Sequence, residues 1–222
     1  MMKTAGKPFR FYTRQNLTHL TGKKAANLRE LLTGIKEASD MCIYYHTHHY
    51  LEQHEFLSPE PPNDFAYWIT NVLQNKLLGE EIAGLDLRQF STLDEIKTNI
   101  IERIEFSLNG NSESGTRAVP PGEEFHFMYA QTFIFPTEFI ANNLNEFNEC
   151  VKKVSINSVF YHVFESRFFK RIPGFCEWLK ELGEDELSDQ VCKLDPYTQT
   201  MDNLRKMLIA LVETRIRYYS NG

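Results

Sequence analysis

The chain has 222 residues, with 24 Lys and Arg against 30 Asp and Glu for a net charge of −6, and is rich in Phe (17) and Tyr (10). That is enough apolar material for one large or two small folded cores, and no apolar run approaches the roughly 20 residues of a membrane span. The N-terminal MMKTAGKPFRFYTR lacks the apolar stretch of a signal peptide, so a cytoplasmic location is expected.

In chain order, FRFY (9–12) alternates aromatic residues as a short strand does. Thr21 then opens a predicted helix through LTGKKAANLRELLTGIKEA, with Leu28, Leu31, Leu32 and Ile35 at helical spacing. Ser39 caps a second helix reaching to about Phe56, and Asp64 opens a third to about Leu78. A short helix ends near Leu85 before a turn at Asp86, and Thr92 with Glu95 forms a capping box for a last helix to about Phe106. SLNGNSESGTRAVPPGEE (107–124) reads as a linker. FHFMYAQTFIF (125–135) is the second strand-like piece, followed by predicted helices from Thr137, Ser155, Gly174, Glu184 and Thr200, with a turn at Asp195.

The second half of the chain repeats the first. Sliding the sequence by 116 positions gives twelve identities across residues 9–46, among them Phe9 on Phe125, Phe11 on Phe127, Asn27 on Asn143, Tyr45 on Tyr161 and His46 on His162. With small slips, Phe65 and Trp68 then meet Phe175 and Trp178, and Glu105 meets Glu213. This self-match predicts an all-α fold of two pseudo-equivalent helical repeats, 8–107 and 124–222, joined by the linker 108–123 and related by an internal twofold. The only β-structure expected is a short ribbon where the two entry segments pair. Because a duplication supplies an internal dimer, a monomer is favoured over an obligate homodimer.

Charge is unevenly spread: residues 1–36 carry eight Lys and Arg against one acid, +7, leaving −13 for the remainder. A solvated basic face is the plainer reading, so nucleic acid is disfavoured as a partner and a membrane is not expected. Cys42, Cys150, Cys176 and Cys192 each align with a small residue of the other copy, which reads as four reduced, tightly packed thiols.

After the caps are set aside, few repeat-invariant polar residues are left. Tyr45-His46 and Tyr161-His162 fall inside the second helix of each copy. His46 and His49 share a helix face, as do His162 and Glu165, and imidazoles with a carboxylate projecting between packed helices can bind a metal. The plainer reading is a buried packing element. The first copy also holds six additional residues in EFLSPEPPNDFAYW, stiffened by Pro59, Pro61 and Pro62 and lying beside His48, His49, His54, Glu60 and Asp64. Candidate binding residues are therefore Tyr45, His46, His48, His49, Asp64 and Trp68. No catalytic motif is assembled and no cofactor is assigned.

IYYHTHHYLEQHEFLSPEPPNDFAYWITNVL, with SINSVFYHVFESRFF and LDPYTQTMDNLRK downstream, resembles a prokaryotic family of domains of unknown function along nearly the whole chain. The resemblance implies a small helical protein and transfers no catalytic residues. The leading functional expectation is a non-catalytic, regulatory module that binds a small molecule or a protein. The competing one is a metal-dependent hydrolase or lyase that uses His46, His49, His162 and Glu165 as ligands, with Asp64 or Glu60 as base.

Overall fold

The computed structural model describes residues 4–49, 63–110, 114–169, 172–196 and 199–221. Among the described residues helix accounts for 60 % and strand for 17 %, the strand being a single antiparallel pair of β1 (Phe9–Ala25) and β2 (Phe125–Ala141). The all-α expectation is thus corrected to a largely helical fold with a substantial two-stranded sheet, each strand running well past the short entry segments. The reason lies in the alternation. It is clean only at the strand starts, where Phe9, Phe11, Phe125 and Phe127 are buried; beyond them most residues are half-buried or exposed, leaving little period-two signal to read. Thr13, Thr18 and Thr21 in β1, and Thr132, Ile134, Thr137 and Ile140 in β2, are β-branched and favour extended backbone. Pro136 is tolerated inside β2 because a two-stranded sheet has only edge strands.

Thr21 and Thr137 are therefore not helix caps. Thr21 Oγ1 donates to the carbonyl of Phe127 (2.7 Å), and Thr137 Oγ1 to that of Phe11 (2.8 Å). The true caps are Asn27 and Asn143, whose side chains accept from Glu30 N (2.9 Å) and Glu146 N (3.0 Å). The two glutamates reach back to the backbone N–H of Ala26 and Asn142, completing the reciprocal pair.

The described residues form two compact units, each described by itself. One contains the residues up to Gln15 and those from Thr132 onward; the other contains the residues between Asn16 and Gln131. In the latter, α1 (Leu28–Glu37), α2 (Asp40–His48), α3 (Asp64–Asn71), α4 (Lys76–Ala83) and α5 (Leu93–Gly110) accompany the end of β1 and the start of β2. In the former, α6 (Leu144–Lys153), α7 (Ile156–Phe160), a π-helical turn at Tyr161–Glu165, α8 (Ser166–Phe169), α9 (Phe175–Glu181), α10 (Asp185–Cys192) and α11 (Met201–Asn221) accompany the start of β1 and the end of β2. The aromatic start of each strand thus packs among the helices of the other half of the chain.

Ser39 and Ser155 cap α2 and α7 as expected, and Thr92 with Glu95 forms its capping box at α5. The predicted third helix is two helices, α3 and α4, broken at Gln74, whose φ of 58° is left-handed. Gly79 lets α4 close on Thr70 of α3, where a Cβ would collide. The second helix beyond His49 and the proline loop, including His54 and Glu60, lie outside the described residues.

Residues paired by the self-match make like ties in each unit. Lys36 bridges to Glu105 (2.6 Å) and Lys152 to Glu213 (3.1 Å). Lys97 Nζ donates to Ala38 O (2.8 Å), and the guanidinium of Arg205 to Val154 O (2.9 Å). Trp68 Nε1 donates to Glu123 O (2.7 Å), and Trp178 Nε1 to Lys7 O (3.1 Å). Cys42 and Cys150 are free and buried, but Cys176 and Cys192 form a disulfide between α9 and α10, so the expectation of four reduced thiols is corrected for that pair. Two aligned small residues in one copy said nothing about where the other copy's side chains meet in space.

Phe11 is fully buried against Phe9, Phe147 and Phe175, whereas Phe133 on the same sheet is 42 % exposed. Phe11→Ala is expected to cost about 3–5 kcal/mol and Phe133→Ala about 1 kcal/mol or less. Urea-denaturation midpoints of the two variants check this ordering.

Candidate functional site

The two repeat-invariant histidines are built into the aromatic cores of their units. In the α1–α5 unit, Met128 N–H of β2 donates to His46 Nε2 (2.9 Å) while His46 Nδ1 pairs with Asp64 Oδ2 (2.8 Å). Since the backbone can only donate, Nε2 is unprotonated and Nδ1 carries the proton. In the α6–α11 unit, Tyr12 N–H of β1 donates to His162 Nε2 (2.8 Å) and Nδ1–H donates to Pro173 O (3.1 Å). Phe65 and Phe125 flank the His46 ring, and Phe9 and Phe175 flank that of His162. Burial lowers the pKa of both imidazoles, that of His162 to about 3; Asp64 partly offsets the effect at His46. Each ring is a neutral clamp on a strand, with both nitrogens engaged.

The other predicted residues have equally definite places. Tyr45 is buried and stacks on His49, the C-cap residue just beyond α2. His48 is buried, bonded through Nδ1 to Thr47 Oγ1 (2.5 Å) and stacked on Tyr44. Trp68 is held by Glu123 O, and Asp64 opens α3 with its carboxylate on His46. Glu165 is buried in an ion pair with Arg14, whose guanidinium also lies over the Phe160 ring at 4.8 Å. Burial pushes the Glu165 carboxyl up to about 7 against the opposing pull of Arg14. His46 and His49 belong to one unit and His162 and Glu165 to the other. Among the described residues no group of three or more His, Cys, Asp and Glu is placed to hold a metal ion.

A different feature of the α1–α5 unit is an open cavity. A cavity of about 990 Å³ is bounded by the α3–α4 turn, the start of α4, the end of α5 and residues 117–120. Its wall includes Leu77, Phe106 and Val119 with Asn75, Lys76 and Arg117. Leu77 and Phe106 are 71 % and 78 % exposed. Val119 N–H donates to Ala26 O (2.7 Å), which anchors the segment carrying Arg117.

The α6–α11 unit treats the matching positions differently. Asn75 stands at the N-cap of α4 and Glu184 at that of α10; Ser107 lies two residues beyond Glu105 on α5, and Arg215 two beyond Glu213 on α11. The buried Glu184 carboxylate accepts from Arg215 Nε (2.6 Å) and Tyr219 OH (2.6 Å), filling that position. This hydrogen bond to Glu184 raises the pKa of the Tyr219 phenol. Asn75 and Ser107 are too short to make such a plug. The adjoining turn also differs: its left-handed residue is Gly183 (φ 76°) in one unit and Gln74 in the other, where the side chain costs about 1 kcal/mol. Sequence reading missed this site because it looked for polar residues common to both copies. The available signal was the opposite one, the replacement of Glu184 and Arg215 by Asn75 and Ser107.

A largely helical protein built on one long antiparallel strand pair, its strand ends gripped by buried neutral histidines, is the class these features define. The chain belongs to the family of unknown function DUF5752, which it matches over residues 6–213. It is similar to the solved structure of OrfY from Thermoproteus tenax, with a TM-score of 0.80 and 25 % identity over 95 % of this chain and 96 % of that one. No curated protein matches it significantly.

Two outcomes follow for these buried polar groups. An unfolded imidazole protonates near pH 6.5 and that of His162 near 3, so between those values the unfolded chain binds more protons. The stability His162 contributes is complete above about pH 6.5 and is lost as pH falls toward 3, by up to about 1.4 kcal/mol per pH unit. His162→Gln should flatten the acid limb of stability against pH by about one proton, read from chemical denaturation at a series of pH values. Arg14→Ala, which strands the buried Glu165 carboxylate, should cost about 3–5 kcal/mol, and Arg14→Leu with Glu165→Leu much less.

Proposed function

We propose that this protein is a non-catalytic binding module, an internally duplicated scaffold in which one half keeps an open ligand seat that the other half has closed. The observation that carries this reading is the 990 Å³ cavity at a position filled in the other unit by Glu184, Arg215 and Tyr219. Its volume is at the upper end of the range for small-molecule pockets. Exposed Leu77 and Phe106 supply apolar surface, while Asn75, Lys76 and Arg117 supply polar groups at the wall. The left-handed Gln74 on the lip supports the same reading, since such backbone strain recurs at ligand clamps and switch regions. The shared polar residues His46, His162, Trp68, Trp178, Asn27 and Asn143 are already occupied in holding strands and helix ends. They support the scaffold and leave recognition to the positions where the halves differ.

The decisive experiment copies the plug. Asn75→Glu with Ser107→Arg transfers the Glu184–Arg215 pair into the cavity. A naphthalene-based fluorescent probe is expected to bind the parent and to lose at least about tenfold in affinity in the double variant, with thermal stability retained. A probe that binds both proteins equally removes this cavity as the seat.

A further inference from the structure

The chemistry of the wall narrows the ligand class; this step rests on the binding reading above. Lys76 is the first residue of α4, where α10 has Asp185, and Leu77 stands where α10 has Glu186. An acidic first turn is the ordinary arrangement, because the positive end of the helix dipole favours carboxylates and disfavours a lysine. The α4 turn has no acid and carries a cation instead. Arg117 adds a second cation from the anchored 117–120 segment. Neither Lys76 nor Arg117 makes an ion pair or side-chain hydrogen bond with any described residue. This sets them apart from Lys23, Lys36, Arg88, Lys152 and Arg215, each of which has a carboxylate partner. Glu81 lies on the same wall, so the described lining residues keep a net positive charge. Alongside the cations stand Val72, Leu73, Leu77, Phe106, Val119 and Pro120, an apolar surface much larger than an inorganic ion needs.

We infer that the cavity takes a small organic anion, with a phosphate or carboxylate head paired to Lys76 and Arg117 and an apolar or aromatic body laid on Leu77 and Phe106. Two cations without a carboxylate partner among the described residues, beside a large apolar wall, are matched by a ligand carrying both characters. A bare anion leaves the apolar wall wet, and an uncharged apolar ligand leaves the cations unpaired.

Isothermal titration of the full chain with 1-naphthyl phosphate, 1-naphthylmethanol and inorganic phosphate tests this. The parent should bind 1-naphthyl phosphate at least about tenfold more tightly than 1-naphthylmethanol, with no measurable heat from inorganic phosphate. Lys76→Ala with Arg117→Ala, both exposed and so neutral to folding, should erase that preference and leave 1-naphthylmethanol binding within about twofold. Equal binding of the charged and neutral probes, unchanged in the double variant, overturns the anion assignment while the cavity stands as a seat. Inorganic phosphate binding as tightly as the naphthyl ester overturns the apolar-body half of the inference. No binding of any probe at millimolar concentration overturns this inference and the binding reading together.

Discussion

A strand end buried in an aromatic core must still satisfy its backbone N–H groups, and here that need is met by an imidazole. Met128 N–H on β2 and Tyr12 N–H on β1 each donate to the Nε2 of a histidine surrounded by phenylalanines. An unpaired N–H at such a place costs about 1–3 kcal/mol, so the acceptor is part of the fold. The arrangement works only if the ring is neutral and carries its proton on Nδ1. The protein secures that tautomer with Asp64 in one unit and the Pro173 carbonyl in the other, and burial keeps both rings uncharged. A histidine held at both nitrogens is a poor starting point for catalysis or metal binding, which turns attention away from the most conspicuous residues in the chain.

Around these clamps each unit repeats a common set of ties. Tryptophan Nε1 holds the chain just before the strand, threonine hydroxyls of one strand hold the other, and an asparagine–glutamate pair turns the strand into the first helix. A cation on the last helix, Lys97 or Arg205, closes the end of the first by donating to Ala38 or Val154. Given so uniform a scaffold, the departures carry the individuality. The α6–α11 unit has a buried Arg14–Glu165 pair beside a π-helical turn, a disulfide and a plugged α10 entry. The α1–α5 unit has Asp64 on its histidine and an open cavity whose two cations have no partner among the described residues.

Much of this was legible from residue patterns. Ser39, Ser155 and the Thr92–Glu95 box are local hydrogen-bonding signals, satisfied within a few residues, and local signals survive folding unchanged. The plainer reading of Tyr45-His46 and Tyr161-His162 as buried packing elements agrees with their burial. Thr21 and Thr137 misled because a threonine before a helical run looks like a cap whether its hydroxyl serves the helix or a neighbouring strand. Phe127 and Phe11, the residues that accept from them, lie 106 and 126 positions away. The cavity escaped for a related reason: an empty space is defined by side chains that are too short, and Asn75 and Ser107 look unremarkable until set against Glu184 and Arg215.

The sequence by itself determined the caps at Ser39, Ser155 and Thr92–Glu95, the apolar faces of the helices and the correspondence between halves, since each is written in local spacing or in direct self-comparison. Only the tertiary structure decided that the strands extend for 17 residues, that their aromatic ends pack among the helices of the other half, and that Cys176 meets Cys192. It alone also decided that one unit closes with an ion pair where the other stays open. These outcomes depend on which distant groups come within hydrogen-bonding reach, and chain order does not encode that distance. A buried N–H or carboxylate must take whatever partner the packed core brings to it.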